Sequence, residues 1–280
     1  MERTERPLAG KHIVITRPTE QARELAEALE ALGARVTALP AIAIEPVAET
    51  APLDAAIAEL ATYDWLVFTS VNGVSAFGAR LAALGHTWAD RGRARVAAIG
   101  PATARALVEV GVPPDLVPSE YVAEALGEAL GNVAGQRILL PRADIAREAL
   151  ARELEVRGAE VSEIAAYRTV PRPIPAEVLV GLLDEASAPE RADALTFTSS
   201  STVRALVESL RAAGHEPART LASVALAAIG PITAGSLREY GLEPALVAEE
   251  YSVPGLVRAL VAYFAAGAAP RQEEGSAVDE

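Results

Sequence analysis

The sequence predicts an α/β protein of two doubly wound parallel-sheet domains joined by a two-strand linker. Short apolar runs of strand length alternate with longer stretches that repeat apolar residues at helical spacing, which is the pattern of parallel sheets covered by helices. The same order of motifs occurs twice, because Gly100 recurs as Gly230 and Tyr121 recurs as Tyr251, each pair 130 positions apart. Two extended, proline-bounded stretches separate the βα units, and we interpret them as the linker.

The chain opens with a strand–helix–strand unit. Residues 12–16 form a short apolar run that ends at Arg17, and residues 35–39 form the next run. Between them, apolar residues recur at i, i+3, i+4 and i+7, which predicts a helix, and Gly33 is a typical helix end. These apolar residues are Ala22, Leu25, Ala26, Leu29 and Leu32.

The middle of the chain continues the alternation. Strands are predicted at residues 65–70, 96–99, 115–118 and 137–140, and helical spacing of apolar residues precedes the first strand and follows each of them. Gly100-Pro101 forms one strand-to-helix corner, since glycine allows a sharp exit and proline suits the first helical turn. The free N–H groups of such a turn favour an anion.

The second half repeats the first. Strand-like runs at 195–200, 226–229 and 245–247 and a helix at 253–260 follow the order of the first half, and Gly230-Pro231 forms the second corner. Arg17 and Gly33 recur as Arg142 and Gly158, each 125 positions later. This self-similarity predicts an internal duplication and a cleft with two matching walls.

The domain boundaries follow from the position of the two extended stretches. We expect residues 1–38 plus 172–266 to form one discontinuous domain, residues 48–160 to form the second, and residues 39–47 and 161–171 to form a two-strand hinge. The acidic tail, 267–280, is expected to be disordered. An alternative is two sequential domains split near residue 135. We prefer the hinge because neither connector has the composition of a flexible Gly/Ser linker.

Composition excludes several functional classes. The net charge of −13 argues against nucleic acid or an anionic membrane as the main partner, and the absence of cysteine removes thiolate nucleophiles and sulfur-ligated metals. No apolar run approaches the roughly 18 residues of a membrane span. We therefore expect a cytoplasmic protein.

The familiar catalytic and cofactor motifs are also missing. The chain contains no G-x-G-x-x-G after a strand, no phosphate-binding G-x-x-x-x-G-K-[ST] and no G-x-S-x-G. The three histidines, His12, His86 and His215, are not at metal-ligand spacing. We expect no metal site and no nucleotide cofactor.

Polar residues do collect at the predicted carboxyl ends of strands, where open α/β sheets bind ligands. The candidates for ligand binding are Arg17, Ser70, Asn72, Thr103, Arg142, Ser199, Ser200 and Thr233. Hydroxyl and amide residues at these places are also ordinary helix N-caps, and the arginines are also typical of salt bridges. Arginine at a strand end favours a carboxylate or phosphate ligand. Tyr167, on the predicted hinge, is a candidate O–H donor to a leaving group, although its ring could equally pack on a neighbour.

At this point the motifs resemble those of the uroporphyrinogen-III synthase family, often called HemD, over about residues 10–264. The matching segments are 67–74, 98–104, 140–142, 166–169, 197–200, 228–234 and 251–254. The resemblance implies two flavodoxin-like domains and cyclisation of hydroxymethylbilane, with inversion of ring D and loss of water, in the cleft between them. It implies no cofactor, and Tyr167 as the proton donor. Thr103, Ser199 and Thr233 would be polar contacts to a substrate with eight carboxylates.

The resemblance has one departure and leaves rival functions open. Ser199-Ser200-Ser201 lacks the glycine that follows Asn72 in the first half, so the two walls would bind the ligand differently. A non-catalytic binding or sensor protein for a tetrapyrrole or other anionic metabolite is the main alternative, and a glycosyltransferase-like enzyme is a third reading. We expect a monomer, with transient contact with hydroxymethylbilane synthase as a further expectation.

Overall fold

A computed structural model describes residues 6–145, 149–183 and 191–267. The chain divides into two compact units: Met1–Ala43 with Pro171–Glu280 form unit 1, and Ile44–Val170 form unit 2. Except for Gly267, the tail predicted to be disordered lies outside the described residues.

Unit 1 contains a five-stranded sheet of order β10-β9-β8-β1-β2, in which all paired strands are parallel. Its strands are β1 (His12–Ile15), β2 (Arg35–Ala38), β8 (Ala194–Phe197), β9 (Ala225–Ala228) and β10 (Leu246–Val247). Its helices are α1 (Thr19–Ala31), α7 (Ala176–Leu183), α8 (Ser200–Ala212), α9 (Pro217–Leu221), α10 (Pro231–Glu239) and α11 (Val253–Ala265). The opening strand–helix–strand segment therefore pairs with the last third of the chain.

Unit 2 contains a second five-stranded sheet, of order β3-β7-β6-β4-β5. Its strands are β3 (Ile42–Pro46), β4 (Trp65–Phe68), β5 (Arg95–Ala98), β6 (Arg137–Ala143) and β7 (Glu160–Pro171). Its helices are α2 (Ala51–Ala58), α3 (Val71–Ala83), α4 (Pro101–Glu109), α5 (Ala123–Ala129) and α6 (Ala149–Val156), with short 3₁₀ turns at Leu60–Thr62 and Trp88–Arg91.

Alternate residues of the central strands bury their side chains on opposite faces of each sheet. In unit 2, Leu66 and Phe68 pack under the helices of one face, while Trp65 and Val67 pack under those of the other. The strands of unit 1 divide between two core clusters in the same way. Burial on both faces explains why these strands are continuous apolar runs in the sequence.

The structure differs from the sequence-based expectation at three places. The predicted strand at 115–118 is reduced to a single bridge between Ala97 and Leu116. Helices α7 and α9 were not predicted. The stretch at 40–46 is expected to be an extended connection rather than a core strand, and it contains β3, an extended strand at the sheet edge beside β7. A strand on an edge needs only one hydrogen-bonded neighbour, so Pro46 is tolerated at the end of β3.

Candidate functional site

Ser70 begins helix α3 at the carboxyl end of the buried strand β4. Its Oγ accepts a hydrogen bond from the Gly73 N–H at 3.0 Å, which makes it the N-cap of the helix. The first turn of α3 lies against the end of β6, since a Cβ added to Gly73 would be 3.0 Å from the Pro141 carbonyl oxygen. The side chain of Ser70 therefore emerges at the edge of the sheet where parallel sheets bind ligands.

Tyr167 reaches this edge because the pairing of β7 with β6 shifts by one residue. Arg142 pairs with Ala165, but Ala143 pairs with Tyr167, so Ala166 is an extra residue in the ladder. Regular alternation would place Ala166 and Tyr167 on opposite faces of the sheet. Instead both are buried in the same core cluster as Phe68, and Tyr167 is only 7% exposed.

The Tyr167 hydroxyl has two polar neighbours. It lies 3.0 Å from Ser70 Oγ, and the side chain of Asn72 also hydrogen-bonds to it. Burial raises the pKa of the Tyr167 phenol, while the bonds from Ser70 and Asn72 lower it and the negative charge of Asp144 raises it. Burial dominates, so Tyr167 is protonated at neutral pH.

A cavity of about 420 Å³ adjoins this hydroxyl cluster. Helix α3 contributes Asn72, Ser75 and Ala79 to its wall, β3 contributes Ile44, and Tyr167 closes one part of it. The volume lies in the range of small-molecule sites. The cavity gives a ligand of this size a place beside Tyr167 within unit 2.

Two charged residues line the cavity wall, Glu45 and Arg80, and each is paired: Glu45 accepts a hydrogen bond from Arg168 Nη2 at 2.6 Å. Arg80 donates from Nε and Nη2 to the two carboxylate oxygens of Asp54, each at 2.6 Å, and from Nη2 to Thr50 at 3.0 Å. The guanidinium holds the pKa of Asp54 below its usual range. This part of the wall therefore presents an ion pair rather than a free cation.

The two predicted anion-binding arginines differ in their surroundings. Arg142 forms a salt bridge with Glu163 on the neighbouring strand, Nε to Oε1 at 2.7 Å, although its Nη1 is buried without a hydrogen-bond partner among the described residues. Among the described residues, Arg17 makes one long hydrogen bond, from Nη2 to Gln21 Oε1 at 3.4 Å, and its Nε and Nη1 are buried without a hydrogen-bond partner there. Burial lowers the pKa of Arg17, and the charge of Glu24 opposes this effect.

Both Gly-Pro corners have a tyrosine against the glycine. A Cβ on Gly100 would lie 3.2 Å from the nearest atom of Tyr121, and one on Gly230 would lie 3.1 Å from Tyr251. Either would be too close for ordinary contact, which explains the glycine at each corner. The predicted contact residues of these helices, Thr103 and Thr233, are each only 4% exposed.

The serines predicted in unit 1 make hydrogen bonds within that unit. Ser199 is the N-cap of α8, accepting from the Thr202 N–H at 3.3 Å. Ser200 accepts a bond from Ser236 of α10 at 2.7 Å. Unlike Ser70, Ser199 has no tyrosine hydroxyl among its hydrogen-bond partners within the described residues.

The sequence does not predict two residues that contact predicted site residues: Asp144, hydrogen-bonded to Tyr167, and Ser236, hydrogen-bonded to Ser200. Asp144 donates its N–H to the Tyr167 carbonyl oxygen at 2.9 Å and accepts the Thr169 N–H at 3.2 Å, which ties the end of β6 to β7. Ser236 links α10 to α8. A charged residue two positions after Arg142 was the only sequence signal for Asp144, and the helical position of Ser236 gave none.

The described residues contain neither a cluster of metal-ligating side chains nor a membrane-spanning helix. No group of three His, Asp or Glu side chains there could hold a metal ion. His12 is buried, with Nε2 2.8 Å from the Thr37 hydroxyl, which gives it a structural role. None of the described helices is long and apolar enough to span a membrane.

Comparison with known proteins adds independent findings. A family model described as uroporphyrinogen-III synthase HemD matches residues 23–258. The uroporphyrinogen-III synthase of Synechococcus elongatus is 37% identical over 260 residues, 91% of this chain and 96% of that protein. A putative uroporphyrinogen-III synthase of Methanothermobacter thermautotrophicus is 38% identical over 255 residues, 89% and 96% of the two chains.

The fold is also similar to solved structures of uroporphyrinogen III synthases. A mutant uroporphyrinogen III synthase from Thermus thermophilus matches with a TM-score of 0.62 and 26% identity, over 89% of this chain and 96% of that chain. The enzyme from Helicobacter pylori matches with a TM-score of 0.56 over 89% and 97% of the two chains, and at 17% identity this shows the fold alone.

Proposed function

The chain belongs to the uroporphyrinogen-III synthase family, and we propose that it converts hydroxymethylbilane to uroporphyrinogen III, with inversion of ring D and loss of water. The observation that carries the mechanism is the buried Tyr167 hydroxyl, 3.0 Å from Ser70 and beside a cavity of about 420 Å³. Family membership does not favour the alternative of a non-catalytic binding or sensor protein.

Tyr167 would act as the proton donor in the first step. Its O–H proton passes to the leaving hydroxyl of the bilane, and the C–O bond breaks with its electron pair on oxygen, so water is released. The pyrrole nitrogen lone pair supplies the electrons, which leaves a cationic azafulvene and a Tyr167 phenolate. The phenolate regains a proton when the cyclised product loses one. The raised pKa of Tyr167 keeps the donor protonated before the step.

Positioning would supply the rest of the catalysis. Ring D must attack through a substituted carbon to give the type III isomer, whereas an unguided bilane closes head to tail and gives type I. Holding one conformer of a flexible chain ready for attack is a large rate effect. The substrate's carboxylates are the groups by which it can be held. Arg17 and Arg142 each have at least one guanidinium nitrogen without a hydrogen-bond partner among the described residues, which supports a role for both as carboxylate contacts.

The other predicted substrate contacts stay part of the proposal. Asn72 lines the cavity beside Tyr167, which supports its role. The remaining proposed substrate contacts lie at the N-terminal ends of helices. They are Thr103 in the first turn of α4, Thr233 in the first turn of α10, and Ser199 and Ser200 at the start of α8. A monomeric state and transient contact with hydroxymethylbilane synthase also stay predictions.

We further propose that both units are flavodoxin-like and arose by duplication. Read from β2, the sheet of unit 1 runs β2-β1-β8-β9-β10, which corresponds to the flavodoxin-like order 2-1-3-4-5. The order β7-β6-β4-β5 in unit 2 follows the same scheme if β6 is equivalent to β1. The matching glycine–tyrosine contacts at the two corners support the duplication. The domain boundaries proposed are 1–38 with 172–266, and 48–160, with 39–47 and 161–171 as connecting strands.

A coupled assay tests the activity directly. Hydroxymethylbilane would be generated in the reaction by hydroxymethylbilane synthase, the products oxidised, and the type I and type III uroporphyrins separated by chromatography. Type III in excess of a control without the protein is expected. Type I alone, at the spontaneous rate, would overturn the proposed function.

Tyr167→Phe tests the proton donor, with Tyr63→Phe as a matched control. Tyr63 is a buried tyrosine in the same core cluster, so both variants lose one buried hydroxyl. We expect Tyr167→Phe to lower kcat by about 10²–10⁴, the usual contribution of an acid–base group, and Tyr63→Phe to leave it within about twofold. A loss below about tenfold in Tyr167→Phe would remove the tyrosine from the catalytic step.

A further inference from the structure

Ser70 Oγ has two hydrogen-bond partners among the described residues, the Gly73 N–H and the Tyr167 hydroxyl. A serine hydroxyl has one proton to donate and two lone pairs. One lone pair accepts the Gly73 N–H at 3.0 Å, and the only other side chain within hydrogen-bond distance of Oγ, in the part of the chain that the structure describes, is Tyr167 at 3.0 Å. Either hydroxyl could donate across the 3.0 Å between Ser70 Oγ and the Tyr167 oxygen, and that oxygen is the side-chain acceptor that the described residues offer to the Ser70 proton.

We propose that Ser70 is a positioning residue for Tyr167, donating its O–H to the tyrosine oxygen so that the tyrosine proton is left for the leaving hydroxyl of the substrate. This inference rests on the proposed function. It adds a second role to the predicted substrate contact of Ser70, whose Oγ hydrogen-bonds to the Gly73 N–H and to Tyr167 within unit 2.

The arrangement has a consequence for the reaction. When Tyr167 gives up its proton, negative charge develops on its oxygen, and the bond from Ser70 becomes a charge-assisted one. The bond is held in place by the helix cap and by the β7 register shift, so it needs no rearrangement as the charge forms. Asp144, whose charge acts against the phenolate, makes this support more valuable.

The test compares two serine N-caps. Ser252 caps α11 by accepting the Gly255 N–H at 3.1 Å, just as Ser70 accepts from Gly73, but its own O–H goes to Glu250 at 2.6 Å. Ser70→Ala and Ser252→Ala therefore remove equivalent caps, and only the first removes a partner of Tyr167. We expect kcat to fall roughly tenfold to hundredfold in Ser70→Ala, with KM changed by less than about threefold, and Ser252→Ala to keep the wild-type kcat.

A second readout separates positioning from folding. In ¹³C-tyrosine-labelled protein, the Tyr167 resonance is assigned by its absence in Tyr167→Phe and titrated at alkaline pH while circular dichroism reports the fold. Loss of the Ser70 bond should move the Tyr167 titration to higher pH, and Ser252→Ala should not move it. Ser70→Thr should restore both kcat and the titration in large part, since it returns a hydroxyl at the cap.

Each outcome decides the inference. Should Ser70→Ala fold poorly, Ser70→Gly removes the hydroxyl at a much smaller loss of cap stability and takes its place. An unchanged Tyr167 titration, or a kcat no lower than that of Ser252→Ala, would overturn the positioning role. A wild-type protein that makes no type III product would overturn the proposed function instead, and the titration would still report the Ser70–Tyr167 bond.

Discussion

The start of helix α11 offers a sharp test of the packing. Gly255 lies in the first turn of the helix, and its N–H donates to the side chain of the cap residue Ser252. A Cβ added to Gly255 would lie 2.0 Å from the carbonyl oxygen of Glu250 and 2.9 Å from its carbonyl carbon. Because both of these are backbone atoms, Gly255→Ala forces the loop before the helix to move, and the Ser252 cap moves with it.

The magnitude follows from three contributions. Overpacking of this kind costs about 1–3 kcal/mol. Loss of the cap adds about 1 kcal/mol, and the better helix propensity of alanine returns about 0.5–1 kcal/mol. We expect a net destabilisation of about 2 kcal/mol, which lowers Tm by roughly 4–8 °C for a unit of this size.

Gly235→Ala is the matched control. Gly235 is a helical glycine of α10 in the same unit, and apart from its own helix backbone no described atom lies within 4 Å of a Cβ placed there. This substitution should raise Tm by about 1–4 °C through helix propensity alone. Thermal unfolding followed by circular dichroism measures both variants. A Gly255→Ala protein that unfolds at or above the wild-type temperature would refute the reasoning.

Two further predictions concern unit 2. Asp54→Asn should lower Tm by a constant amount from neutral pH to about pH 5, and the difference from wild type should disappear in acid. The reason is that the pKa of Asp54 is lowered in the folded protein, so its ionised form stabilises the fold above the unfolded pKa of about 3.9, and this stabilisation is lost as the pH falls through the lower folded pKa. A Tm difference that is unchanged at pH 3 would contradict this. Phe77→Ala should destabilise unit 2 by about 3–5 kcal/mol, since the ring is fully buried, with its centroid 5.7 Å from that of Phe68 and 5.4 Å from that of Trp88. Calorimetry and tryptophan fluorescence measure the loss of stability. Phe264 is half-buried, so Phe264→Ala should destabilise the protein less.

Much of the fold could be predicted because it depends on local periodicity. Strands buried on both faces are apolar runs, and the helices between them carry an apolar stripe, so β1, β4 and β9 and their helices were found from the sequence. The sequence does not predict helix α7, because it follows a proline-rich segment whose composition favours an extended chain. The bridge at Leu116 replaces a predicted strand because only Ala97 pairs with it.

The site was predictable only in part, since its key contacts depend on register. Tyr167 was a candidate from its position, but its partner Ser70 is 97 residues away in the chain. The salt bridge of Arg142 to Glu163 depends on which residues of β6 and β7 face each other, and no local signal reports that. Hydrogen bonds between distant residues are set by the assembled sheet rather than by the sequence pattern.

Because Ala166 is an extra residue in the ladder, the position of the Tyr167 hydroxyl depends on the number of residues in β7. Substitutions along β7 would leave the count of residues unchanged and so keep the ring on the same side of the sheet. Loss or gain of a single residue there would turn the ring toward the opposite layer of helices. Over evolutionary time this segment should therefore accept changes of side chain far more readily than changes of length.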